Sequence, residues 1–154
     1  MSEAESVELE LHDGYRFEVR FSRLDAAWTT DEAPPLGEGS GPSPVHLLLA
    51  AVANCMSASL LFALGKFRND PRGMRASARA QVGRNEAGRQ RVLAIAIEIR
   101  IGAVAAELQH LDRILPQFEE FCTVGQSVRA GVPVELAVYD GSGACLHGPS
   151  RGKT

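Results

Sequence analysis

Cys55 and Cys122 are the side chains whose type and setting could carry chemistry. Cys55 lies in the middle of an apolar run, Leu47 to Leu64, and Cys122 ends an apolar series made by Val104, Leu108, Leu111, Leu115 and Phe118, so both thiols are aimed at the interior. In a reducing compartment a cysteine pair serves catalysis, redox exchange or metal binding more readily than structural bridging. The alternative is that both are small buried hydrophobes, as free cysteines often are. A bridge requires Cα atoms roughly 4.4 to 6.8 Å apart, a distance that only the fold can supply. The third cysteine, Cys145, stands in a polar stretch (GACLHG) and reads as an exposed bystander. Zinc is set aside: Cys55, Cys122 and His46 are acceptable ligand types, but no CxxC or HxxxH spacing and no clear fourth ligand accompany them.

The elements that must position the two thiols are legible in outline. Val7, Leu9 and Leu11, then Tyr15, Phe17, Val19 and Phe21, alternate with polar residues around Asp13-Gly14, which predicts a hairpin, with a third strand near Trp28. Residues 31–43, dense in Pro, Gly and Ser, form a loop; Ser43 caps the helix that follows and Pro44 takes its first position. That helix runs to about Arg68. A second hairpin spans 74–83 and 91–101 around Asn85 to Gly88. The steps of three and four from Val104 to Cys122 predict an amphipathic helix, kinked or restarted near Leu115 by Pro116. A short helix, Thr123 to Arg129, stops at Gly131 and leads to a last strand, VPVELAVY. Hairpins with helices between them indicate an α+β fold with antiparallel pairing around a long buried central helix.

Composition bounds the possibilities. The 154 residues suit one domain over residues 1–154, with a core over about 6–140 and a polar tail over 141–154. A 45% hydrophobic and 23% charged chain is neither disordered nor repetitive. Its net charge of -3 and dispersed arginines exclude a polyanion-binding surface, so no nucleic-acid partner is expected. The Leu47–Leu64 run reaches the lower length limit for a membrane span, but its Ala and Ser content and its place between hairpins make it a core helix, and no membrane partner is expected. The acidic start, MSEAESVELE, and the odd cysteine count place the chain in the cytoplasm. GEGSGPS lacks the Lys-Ser/Thr and the preceding strand of a phosphate loop, and no cofactor is expected. An all-apolar helix packed on one side by a sheet leaves its other face to be covered, which implies a partner subunit and most simply a two-fold homodimer.

SPVHLLLAAVANC, followed by FEEFCTVGQSVRAGVPVEL, resembles the paired signature of the OsmC/Ohr family, in which one cysteine lies in a central helix and the second in a later one. The resemblance covers roughly residues 6–140. It implies an intertwined homodimer with active sites at the interface, and for many members the reduction of organic hydroperoxides. By that analogy the Cys55 thiolate attacks the O–O bond, Cys122 resolves the sulfenic acid as a disulfide, and an external dithiol restores both thiols. Phe62 and Phe118, with other apolar residues, suit an alkyl peroxide, and Asn54 could donate to a peroxide oxygen. Apolar burial raises a thiol pKa, so a cation is needed. Peroxide-reducing members use an N-terminal Arg oriented by a Glu just after the helix-opening proline. Here Val45 and His46 follow Pro44, and the candidates for the cation are Arg16, Arg20 and Arg23, with Arg129 seven residues after Cys122; strand alternation sends Arg16 and Arg20 to the face opposite Phe17 and Val19. His46 lies nine residues before Cys55, ~13 Å along a helix, so it reaches the thiol only by a fold-back or across subunits; otherwise it is a polar residue of the first turn. The competing function is an OsmC fold that binds an apolar small ligand without robust peroxidase activity.

Overall fold

The computed structural model describes residues 4–148. The chain divides into two compact units, residues 1–48 and 49–154. In the first, β1 (Val7–Asp13), β2 (Arg16–Phe21) and β3 (Ala27–Thr30) form an antiparallel sheet in that order, with Leu9 opposite Val19 and Val19 opposite Trp28. Gly14 turns the hairpin at φ 50°, a conformation that costs glycine little. The loop after β3 is organised by Asp31, whose carboxylate accepts the N–H groups of Glu32, Glu38 and Ser40 at 2.8, 3.1 and 3.0 Å and the Ser40 hydroxyl at 2.9 Å. Ser43 and Pro44 then start α1 (Pro44–Lys66), as their types require.

The second unit carries most of α1 and a four-stranded sheet. β4 (Met74–Arg84) and β5 (Gln90–Ile101) form a long antiparallel hairpin; β6 (Val134–Tyr139) runs parallel to β5, and β7 (Cys145–His147) antiparallel to β6. This sheet is therefore mixed, where antiparallel pairing was expected. Parallel neighbours need a crossover, and residues 102–133 provide it. Alternate residues of β5, Ile95, Ile97, Ile99 and Ile101, are buried, as are Leu136 and Val138 of β6. On α1 the buried stripe is Val52, Met56, Leu60 and Leu64, spaced four apart. Each such side chain contributes roughly 1.5–3 kcal/mol by leaving water. The opposite face is open: Leu61 is 49% and Phe62 66% exposed, so within one chain α1 is not buried all round.

One further expectation needs correction. Val104 to Cys122 is not one helix but a 3-10 turn (Ala105–Glu107), α2 (Leu111–Ile114) and a second 3-10 turn (Phe118–Phe121). Pro116 withholds a donor, and Asn69 binds both backbone groups of Gln109, taking its N–H at 2.7 Å and giving its amide to the carbonyl at 2.8 Å, so those groups are lost to a helical ladder. The apolar spacing survives because successive turns keep one side inward. Within the stretch read as a polar tail, β7 spans Cys145–His147, and residues 149–154 lie outside the described residues.

Candidate active site

Cys55 sits in the fourth turn of α1, half-buried, and Cys122 is fully buried at the residue that caps α3 (Thr123–Arg129). α3 starts there because Cys122 leaves helical geometry at φ -79° and ψ 97°, and its sulfur accepts the N–H of Gly125 at 3.3 Å. The preceding N–H, that of Val124, donates to Cys55 Sγ at 3.5 Å. The two sulfurs are therefore neighbours at the start of α3, each facing one of two consecutive backbone N–H groups. Close approach depends on Gly125: a Cβ there would lie 2.8 Å from Cys122 Sγ and 2.8 Å from Met56 Cε.

This arrangement polarises the pair. Burial pushes the Cys55 thiol up, but the Val124 N–H, the Cys122 thiol and the N–H groups of Gly125 and Thr123 outweigh it, and its pKa falls below the ordinary thiol value. Burial also pushes Cys122 up, and its hydrogen bond to Cys55 adds to that; the Gly125 N–H and the Ser59 hydroxyl offset only part. The two thiols are thus driven in opposite directions, Cys55 toward easier and Cys122 toward harder loss of its proton. Neutral donors supply the stabilisation for which the sequence suggested a cation.

A cavity of about 300 Å³ lies between the C-terminal half of α1 and the segment before Cys122, lined by Ser59, Phe62, Lys66, Arg113, Phe118 and Phe121 among others. Phe62 and Phe118 are thus brought to one pocket, the first exposed and the second 1% exposed. Asn54 is exposed on α1. His46 is exposed in the first turn, where its Nδ1 accepts the Ser43 N–H at 3.2 Å, and α1 is continuous from His46 to Cys55. Arg16 pairs with Asp13 at 2.7 Å and Arg20 with Glu18, each within its own hairpin strand or turn.

Sequence reasoning missed three features. The N–H groups of Thr123 to Gly125 have no side-chain signature, although a cysteine at a helix start points to them. Ser59 and Lys66 follow Cys55 by four and eleven residues, a helical spacing that the uniform apolarity of α1 concealed. Glu119 takes Arg129 at 2.5 Å and His147 at 2.5 Å, joining the turn before Cys122 to the helix after it and to β7. Its carbonyl also accepts the Cys122 N–H at 3.0 Å. Among the described residues no group of three or more His, Cys, Asp or Glu side chains is placed to hold a metal.

Comparisons with known proteins bear on the fold that holds this site. An OsmC-like protein from Vibrio cholerae, of unknown function, is similar over 90% of this chain and 99% of its own at 18% identity, with a TM-score of 0.75. An organic hydroperoxide resistance protein from Elizabethkingia anophelis matches over 91% of this chain and 98% of its own at 16% identity and a TM-score of 0.72. The corresponding protein of Bacillus subtilis matches over 88% and 97% at 15% identity and 0.65. At such identities the likeness establishes the fold. No curated protein matches the chain. The family model described as OsmC-like protein matches residues 37–137, a span that holds both cysteines, the cavity and the crossover between them, and the chain belongs to the OsmC-like family.

Proposed function

We propose that this chain is a dithiol-dependent reductase of organic hydroperoxides, with Cys55 the attacking and Cys122 the resolving residue. The observation that carries this reading is the cysteine pair at the start of α3: half-buried Cys55 faces the Val124 N–H at 3.5 Å, and fully buried Cys122 takes the Gly125 N–H at 3.3 Å, with the Cys55 pKa lowered and the Cys122 pKa raised. The Cys55 thiolate attacks the terminal peroxide oxygen, the O–O bond breaks, and the alkoxide leaves as the alcohol after taking a proton. The sulfenic acid left on Cys55 is attacked by the Cys122 sulfur; an S–S bond forms, and the hydroxyl leaves as water with the Cys122 proton. An external dithiol then exchanges with the disulfide, is itself oxidised, and returns both cysteines to thiols. Similarity to proteins described as organic hydroperoxide resistance proteins supports the choice of oxidant.

The functional unit is a homodimer, in which a second copy covers Leu61 and the other exposed side chains of α1, and free cysteines suit a reducing cytoplasm. A second reading, an apolar-ligand binder, is favoured by the absence of a carboxylate after Pro44 together with the phenylalanine-lined cavity. Peroxide consumption driven by a small dithiol separates the two. The reductase consumes cumene hydroperoxide catalytically and loses this in Cys55→Ser; a binder consumes none.

A further inference from the structure

Cys55, Ser59, Phe62 and Lys66 recur along α1 at steps of four, three and four, so they share one face of the helix. The last three line the cavity, whose walls are otherwise dominated by Phe67, Phe118 and Phe121. Two cations stand in this aromatic lining. Lys66 Nζ lies 4.9 Å from the centre of the Phe62 ring and 5.8 Å from that of Phe121, and the Arg113 guanidinium lies 5.3 Å from that of Phe67. Among the described residues neither makes an ion pair, whereas Arg16, Arg20, Arg72, Arg100 and Arg129 all do. A cation held over ring faces keeps its charge and its N–H donors, and both are then available to an anion.

The geometry points to Lys66 and Arg113 as a carboxylate anchor that selects hydroperoxides bearing an acid group, with the apolar body lying along Phe62, Phe118 and Phe121 toward Cys55. The catalytic half of this inference rests on the reductase reading; carboxylate binding does not. Eleven residues separate Cys55 from Lys66, about 16 Å of helix, so the hydroperoxide must stand far along a chain from the acid rather than beside it. The Arg113 guanidinium offers a carboxylate two parallel donors, and Lys66 adds a mobile point charge. A neutral hydroperoxide would fill the same apolar walls without these bonds.

The test compares a long-chain fatty acid hydroperoxide with its methyl ester, using the full-length protein and the Lys66→Met/Arg113→Met double variant, which retains most of both aliphatic stems. In the unmodified protein kcat/KM should favour the acid by about tenfold, the size of one charge-assisted interaction, and the ratio should fall to about one in the variant. The same ratio should shrink with added salt in the unmodified protein, a check that survives if the variant does not fold. Equal use of acid and ester, or a ratio unchanged by both the substitutions and salt, overturns the anchor. Should neither hydroperoxide be consumed, the reductase reading fails on its own. Calorimetry with the unoxidised fatty acid then decides the anchor: binding weakened at least about tenfold in the variant supports it, and no binding, or unchanged binding, overturns it.

Discussion

At Cys55 two opposed forces meet: burial favours the neutral thiol, and three backbone N–H groups with the Cys122 thiol favour the thiolate and win. Alkylation of Cys55 should therefore show a pH midpoint below the ordinary value of about 8.5, and Cys122→Ala, which removes one donor, should move it upward. The two shifts act oppositely on stability. The lowered Cys55 contributes stability above the unfolded thiol pKa, and that contribution is lost as pH falls through its folded value. The raised Cys122 contributes below the unfolded pKa, and its contribution is lost as pH rises through its own folded value. Cys122→Ala should thus reduce the loss of stability on the alkaline side, which urea titrations at several pH values measure. Gly125→Ala places a methyl group 2.8 Å from both Cys122 Sγ and Met56 Cε, and should cost about 1–3 kcal/mol while it disturbs alkylation of Cys55.

Among the elements, the crossover between β5 and β6 sets the geometry of the thiols, because it delivers Cys122 and the N–H groups of α3 to α1. Glu119 ties this segment together through Arg129 and His147, the pair with Arg129 being largely enclosed. Glu119→Gln should lower stability by about 1 kcal/mol and shift the Cys55 alkylation midpoint upward, an effect that a remote change of equal cost would not produce. Asp140 anchors the other end of the crossover. Its carboxylate accepts the Ser142 hydroxyl at 2.6 Å and the Ala105 N–H at 2.8 Å, and its pKa is held at about 2. That stability is present above the ordinary Asp value of about 3.9 and is lost as pH falls toward 2, so Asp140→Asn should flatten the acid limb of an unfolding curve. The hairpins, α1 and α3 were legible because alternation, capping by Ser43 and Pro44, and the stop near Gly131 are local signals. The crossover was not: apolar steps of three and four report which side faces inward, but the breaks come from Pro116 and from Asn69, forty residues before Gln109. The parallel placement of β6 likewise depends on contacts remote in sequence, and β7 is too short to show a pattern.

For the whole molecule, the proposed homodimer would cover the exposed apolar face of α1, and on that proposal Phe62→Glu should shift the protein toward monomers in sedimentation. The cysteine pair was legible as two inward-facing thiols, but the choice of donors around Cys55 was not, since backbone N–H groups carry no residue type. The central claim, that Cys55 and Cys122 form one redox couple, is tested most directly by intact mass and free-thiol count after reduced protein meets one equivalent of an organic hydroperoxide. The account predicts loss of two thiols together with the mass of two hydrogens, no reaction at this site in Cys55→Ser, and a trapped sulfenic acid in Cys122→Ser. Persistence of both thiols under excess hydroperoxide would contradict it, and would leave the pair as packing beside a ligand cavity.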